Sequence, residues 1–119
     1  MEKKVTYEIE NGKKVKVKTY ADGRVYKFDE KGNNIYFKNN KGYEQWFEYD
    51  TNGNVIHYKD NIGGEYWNEY DANGKMIHRK FNDDYEVWYE YDSNGRMIHY
   101  KDNEGEEWFD EYYKERKVY

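Results

Sequence analysis

The sequence contains no cysteine, no proline and no leucine. Without cysteine there is no disulfide framework and no thiolate metal site, so neither a redox compartment nor a zinc module follows. Without leucine, burial falls to Trp, Tyr, Ile and Val, residues suited to a pleated, half-buried surface. No apolar run approaches the length of a membrane span. The start, Met1 to Tyr7, has no apolar signal region. A cytoplasmic setting is the default expectation. A P-loop, a dinucleotide fingerprint, a nucleophile elbow and a zinc-protease motif are all missing.

What is present is charge and aromatic area. Of the 119 residues, 38% are charged, 21% are aromatic and 16 are tyrosine. The charge fraction resembles that of a disordered chain, but the aromatic content and the regular turns argue for a folded domain. Residues 1–27 carry a net of about +4, so the rest must carry about −9 to reach the overall −5. An acidic array disfavours unaided binding to a phosphate backbone.

The dominant pattern is a period of 21 residues. Glu48, Glu69, Glu90 and Glu111 keep it, as do Tyr49, Tyr70, Tyr91 and Tyr112, and Gly53, Gly74 and Gly95. A fixed period in this range marks a repeat architecture, in which each unit buries its apolar surface on its neighbours. Each repeat reads as a β-hairpin. In Tyr43 to Asp50, Trp46 and Glu48 alternate with Gln45, Phe47 and Tyr49. Asp50-Thr51-Asn52-Gly53 then makes a type I turn, with Gly53 in the left-handed region. Asn54 to Asp60 returns, and Asn61-Ile62-Gly63-Gly64 turns again. The same reading places strands near 65–71, 75–81, 85–92, 96–102 and 106–113. A degenerate copy covers Phe28 to Lys38. Val5 to Glu10 and Lys13 to Tyr20 form a separate hairpin around Asn11-Gly12. The expectation is an all-β antiparallel meander of about eleven strands without a helix, elongated and twisted or partly rolled. Residues 1–27 form a basic capping hairpin and residues 28–119 one continuous array.

The phrases Tyr70-Asp71-Ala72-Asn73-Gly74-Lys75-Met76 and Tyr91-Asp92-Ser93-Asn94-Gly95-Arg96-Met97 resemble the tyrosine-aspartate (YD) repeats of Rhs, teneurin and toxin-complex proteins. The likeness spans roughly residues 28–113. In that family long arrays spiral into a shell around a toxic cargo. With only about four repeats and no cargo segment, the resemblance implies the hairpin array, with Tyr49, Tyr70 and Tyr91 stacking between repeats, and not the shell.

Three constellations invite a functional reading. His57, His78 and His99 form a file, but equivalent positions lie two strands apart, about 9–10 Å, while a shared ion needs each ligand about 2 Å away. The expectation is surface histidine beside a cross-strand Glu or aromatic ring, with no metal and no cofactor. Glu48 with Asp50, Glu69 with Asp71, and Glu90 with Asp92 are paired carboxylates at a spacing that would suit glycosidase chemistry. They recur in every repeat, whereas an active site is a single constellation, so no catalytic residue is assigned. Trp46, Trp67 and Trp88, with Phe109 at the equivalent place and Trp108 one residue out of step, form an aromatic file. It is either the core of the sheet or an exposed binding stripe. The basic cluster Lys13, Lys14, Lys16 and Lys18 reads as a solvated strand face.

These features point to a non-enzymatic protein-binding module. Its candidate contacts are Trp46, Trp67, Trp88, Trp108, Glu48, Glu69, Glu90 and Arg79, and its partner a protein with a basic surface, without direct nucleic-acid or membrane binding. A concrete version is a small phage-type inhibitor of a nucleic-acid-handling enzyme, anti-CRISPR-like, whose carboxylate rows compete for a basic groove. The alternatives are carbohydrate binding through stacked rings and a structural fragment of a toxin or surface repeat protein. Departures from the period are the better leads to a specific function: the basic first hairpin, Arg79-Lys80-Phe81 with Asp84 at a glycine position, and Trp108.

Overall fold

The computed structural model describes residues 2–116. The chain is an all-β antiparallel meander of eleven strands. These are β1 (Lys3–Glu10), β2 (Lys13–Tyr20), β3 (Val25–Phe28), β4 (Asn34–Lys38), β5 (Glu44–Tyr49), β6 (Val55–Asp60), β7 (Glu65–Tyr70), β8 (Met76–Phe81), β9 (Glu86–Tyr91), β10 (Met97–Asp102) and β11 (Glu107–Phe109). It divides into two compact units, residues 1–65 and 66–119. In each unit the strands pair in chain order. The basic first hairpin joins the ladder directly, from Lys16 opposite Phe28 to Thr19 opposite Val25. No helix among the described residues is long and apolar enough to cross a membrane.

The turns explain the hairpins. In the turn after β5, the Gly53 N–H donates to the Asp50 carbonyl (3.2 Å) and the Asp50 N–H to the Asn54 carbonyl (2.9 Å). Gly53 has φ of +85°. That is a type I turn closed by a left-handed glycine. The Asp50 carboxylate oxygen Oδ1 also accepts the N–H groups of Asn52 and Asn54, each at 2.9 Å. Asp29, Asp60, Asp71, Asp92 and Asp102 do the same two and four residues on. Each aspartate thus ties down two turn amides that a sheet edge would leave to water.

A bulge follows each Tyr-Asp or Phe-Asp step. Tyr91 is opposite Met97 and Glu90 is opposite His99, so Ile98 is the extra residue. Ile35, Ile56 and Ile77 hold the same place in their hairpins. A bulge re-aims one side chain, and Ile98 is the most deeply buried apolar side chain, 1% exposed. Simple alternation does not anticipate this extra residue. Among the described residues the other buried apolar side chains are Val15 and Val17 in the first unit and Val87 in the second. A sheet with so small a core rests on its ladders and cross-strand ring pairs.

The last strand is shorter than the sequence suggests. The expected strand over 106–113 stops at Phe109, and Tyr113–Arg116 forms one helical turn, α1, where no helix was expected. The Asp110 N–H still reaches the Ile98 carbonyl (2.8 Å), but the Tyr112 N–H turns back to the Asp110 carboxylate (3.0 Å) and the Tyr113 N–H to the Asp110 carbonyl (3.1 Å). A side-chain oxygen offered to the next amides competes with the ladder and starts the turn. From the sequence, the tail Lys114 to Tyr119 either extends the last strand or frays; its residues 114–116 belong instead to α1, and residues 117–119 lie outside the described residues.

Candidate functional site

Strand alternation sorts the functional side chains onto two faces. One face of the first unit holds Trp46 opposite Tyr36 and Lys59, and Glu48 opposite His57. In the second unit, one face of the hairpins holds Glu69 opposite His78, Trp88 opposite His78 and Lys101, and His99 opposite Glu90 and Phe109. In each unit we call the face that carries histidine the histidine face.

Each histidine sits between two glutamates. His57 has Glu65 Oε2 at 2.8 Å from Nε2 and Glu48 Oε1 at 3.6 Å from Nδ1. His78 has Glu69 at 2.5 Å from Nδ1 and Glu86 at 3.0 Å from Nε2. His99 has Glu90 at 2.7 Å and Glu107 at 2.8 Å on the same two nitrogens. A neutral imidazole donates one N–H; the imidazolium donates two and serves both carboxylates at once. The sequence reading placed a cross-strand Glu beside each histidine but missed the second file, Glu65, Glu86 and Glu107. Their own 21-residue spacing was the available signal. In the first repeat Tyr36 replaces histidine and donates to Glu44 at 2.5 Å. Burial, and then the Glu44 hydrogen bond, push the Tyr36 phenol up to about 12.

Rings stack on the histidines. Trp88 lies parallel to His78 at 5.3 Å, and Phe109 parallel to His99 at 4.3 Å. Tyr113 of α1 meets His99 edge-on at 5.4 Å and donates to Glu90 at 2.9 Å. Trp46 and Trp67 do not form a core. They are 38% and 40% exposed, because a single sheet layer supplies no second layer to cover them; Trp88, stacked on His78, is half-buried. Trp46, Glu48, His57 and Lys59 line a shallow hollow of about 300 Å³.

Two expected contact residues lie on the opposite face. Trp108 is opposite Tyr100, while Phe109 takes the place of the file. Arg79 is opposite Val87 and is committed internally. Its Nε donates to Asn68 Oδ1 at 2.7 Å, and its guanidinium lies 4.0 Å from the Tyr66 ring centre. Asn68 itself is buried.

The opposite face also carries two carboxylates that are nearly closed off from solvent, Asp60 and Asp102. Burial pushes the Asp102 carboxyl up. The hydroxyls of Tyr100 and Tyr85 and the N–H groups of Glu106 and Glu104 outweigh it and hold Asp102 below the usual range. The Gly64 N–H does most to lower Asp60, helped by the Tyr58 hydroxyl and the Ile62 N–H. Tyr58 and Tyr100 are raised in turn, Tyr58 chiefly by burial and Tyr100 chiefly by the hydrogen bond with Tyr85. Both aspartates also hold turns, which accounts for them structurally.

Tyr49 and Tyr91 stack on Phe47 and Tyr89 of their own strands, and their link to the preceding repeat is a hydrogen bond. Their hydroxyls donate to the carbonyls of Asn34 (2.6 Å) and Met76 (2.8 Å), at the start of the return strand of the preceding hairpin. Among the described residues no group of three His, Asp or Glu side chains is arranged to hold a metal ion. No protein-family model matches the chain, and no curated protein matches it.

Proposed function

We propose that the chain is a non-enzymatic protein-binding module whose histidine face docks a partner with a basic surface. The observation that carries this reading is the pairing of exposed tryptophan with exposed carboxylate. Trp46 and Trp67 are each more than a third exposed, and the side chains of Glu48 and Glu69 are 69% and 68% exposed. Trp supplies large contact area at low entropic cost and is enriched among residues that dominate binding energy. Exposed carboxylates steer a basic partner towards it. The narrower reading is an inhibitor of a nucleic-acid-handling enzyme, anti-CRISPR-like, whose basic groove would take the carboxylate file. Kinship with the tyrosine-aspartate repeats is part of the proposal, supported by the Tyr-Asp turn and the Tyr49 and Tyr91 hydroxyl contacts.

Pull-down from lysate at low and high salt tests it. The expected result is a basic partner retained at low salt, released at high salt, and lost with the double variant Glu48→Lys/Glu69→Lys. Recovery of no basic partner at low salt refutes the reading. Carbohydrate binding is favoured by one observation, the hollow that sets Trp46 beside Glu48, His57 and Lys59. Titration of Trp fluorescence with cell-wall glycans separates the two, and an unchanged signal eliminates the second.

A further inference from the structure

Strand β1 is the first edge of its sheet. It runs eight residues without a register shift, and seven of the eight are exposed. Long edges of this kind are normally blunted by bulges, proline, charged side chains or a covering segment. Among the described residues no bulge, proline or covering segment protects β1, and its exposed charges, Lys3, Lys4, Glu8 and Glu10, are of both signs, so they can pair with each other across a second copy; the other edge strand, β11, is three residues long and is followed by α1.

The direction of the free peptide groups follows from the hairpin. The Glu2 carbonyl accepts the Ala21 N–H at 3.3 Å, and the two-residue turn at Asn11-Gly12 closes on the pair Glu10 and Lys13. Even-numbered residues of β1 therefore turn their N–H and C=O groups towards β2. Those of Lys3, Val5, Tyr7 and Ile9 point outward. The side chains of Val5, Tyr7 and Ile9 share one face, and they are 40%, 57% and 72% exposed.

We propose that β1 pairs antiparallel with β1 of a second copy, Tyr7 opposite Tyr7 across a two-fold axis. Only a register that joins odd-numbered residues to odd-numbered residues satisfies the outward groups. Among these, Tyr7 on Tyr7 sets Val5 against Ile9 and Lys4 against Glu10, each twice by symmetry, with Thr6 against Glu8. Sliding one way by the next permitted step sets Glu8 against Glu8. Sliding the other way keeps two Lys4–Glu8 and two Val5–Tyr7 pairs, but it sets Glu2 against Glu10 and buries Ile9 against Lys3, each twice. Like charges directly opposite destabilise a pair, and opposite charges and apolar pairs stabilise it. Of the permitted registers, Tyr7 on Tyr7 alone pairs Val5 with Ile9 without setting like charges against each other, as a self-complementary two-fold interface requires. The pairing does not depend on the partner proposed above. It would set the histidine faces of the two first units on the same side of one continuous sheet.

Light scattering or sedimentation across a concentration series tests this on the full chain. The expected result is twice the chain mass, falling to the single mass with Tyr7→Pro. That variant removes an outward N–H and no bond to β2. Lys4→Glu should weaken association about tenfold, the effect of two like-charge cross-strand pairs. The chain has no cysteine of its own, so a single introduced cysteine reports only contacts between copies. Tyr7→Cys should form a disulfide on mild oxidation, since directly opposite positions lie within disulfide reach. Val5→Cys alone should not, while a mixture of Val5→Cys and Ile9→Cys should cross-link. A chain that stays monomeric overturns the proposal, including one that takes up a foreign extended peptide on β1. So does a dimer that survives Tyr7→Pro, or one that cross-links equally through Tyr7→Cys and Val5→Cys.

Discussion

Replacing Asp84 with glycine should stabilise the protein, and the turn geometry sets the size of the gain. Nine glycines occupy left-handed turn positions, with φ from +78° to +99°. Asp84 stands where the other turns of the array carry glycine, at φ of +68°. A left-handed conformation costs an L-residue roughly 1–2 kcal/mol, somewhat less for Asp. Glycine gives back about 0.5–1 kcal/mol through the entropy of the unfolded chain. The Asp84 side chain contributes little against this. Its ion pair with Lys80, at 3.9 Å, joins side chains 90% and 47% exposed, and exposed pairs of this kind are nearly neutral. The useful contacts of residue 84 are backbone: its N–H to the Phe81 carbonyl (3.1 Å) and its carbonyl to Asn103 Nδ2 (2.7 Å). Glycine keeps both. The net expectation is a gain of about 0.5 kcal/mol, a rise in melting temperature of roughly 2–4 °C. Gly74→Val is the converse. No atom lies within reach of an added Cβ at Gly74, at φ of +80°, so its cost is purely that of the backbone, about 1–3 kcal/mol. Thermal melting by circular dichroism reads both. If Asp84→Gly melts lower than the parent while Gly74→Val melts with it, left-handed backbone does not limit these turns.

Four further outcomes follow from the contacts. Phe81 fills the turn position that Asn39, Asp60 and Asp102 hold in the equivalent turns. Phe81→Asp would regain the side-chain caps, but it removes a ring set against Tyr66 and Tyr85 (6.2 and 5.6 Å) and Arg79 (5.8 Å). The ring contacts outweigh the cap, so a net loss of about 1 kcal/mol is expected in chemical denaturation. In Gly64→Ala the new Cβ would run into the Asp60 carboxylate, which accepts the Gly64 N–H at 2.8 Å; a loss of about 1–2 kcal/mol by the same assay is expected. Tyr91→Phe deletes the bond to the Met76 carbonyl (2.8 Å) and should cost about 1 kcal/mol. Asp60 and Asp102 are both held below their ordinary 3.8 in the folded state. Their contribution is therefore complete above the unfolded value and is lost as pH falls below about 4 through the folded values. Acid titration followed by circular dichroism should show this, and Asp102→Asn should flatten the slope.

The hairpins were legible because their turn chemistry is local. Asp50, Asn52 and Gly53 specify one turn whatever lies around them, and the strand count follows. The bulge at the left-handed turn glycine was part of that local chemistry; the further bulges at the isoleucines were not legible, because Ile56 and Ile98 each sit inside an apolar-looking strand whose alternation they break by one residue. The available signal was two adjacent apolar residues, Val55-Ile56 and Met97-Ile98, before each histidine. The second glutamate of each clamp kept the period but lay in the following strand, where only the ladder register brings it to the histidine. Arg79 and Phe81 looked like irregularities because the opposite face keeps a longer period. Tyr43 with Tyr85, Tyr58 with Tyr100, Asp60 with Asp102 and Asn61 with Asn103 recur at 42 residues, and Gly64, Arg79 and Phe81 fill the alternate repeat. The extra helical turn at 113–116 is set by Asp110, which no periodic pattern marks.

The two periods bear on where a partner docks. On the opposite face several side chains have internal tasks. Arg79 holds Asn68 and Tyr66, and Tyr85 and Tyr100 both donate to Asp102 at 3.0 and 2.8 Å. Such a face tolerates little change without loss of the sheet. On the histidine face the clamps of His57 and His78 each use one carboxylate well shielded and one open. The side chains of Glu65 and Glu86 are 24% and 28% exposed, against 69% and 68% for Glu48 and Glu69; the His99 clamp has no such split, with Glu90 and Glu107 at 38% and 41%. The open member of the first two clamps can meet a cation from outside while its partner still holds the histidine. Substituting Glu48 or Glu69 should therefore change association far more than folding, whereas substituting Glu65 or Glu86 should change both. Melting and partner binding measured on the four single variants distinguish the classes. Equal losses of stability in all four would mean that the open carboxylates are part of the fold and not of a docking surface.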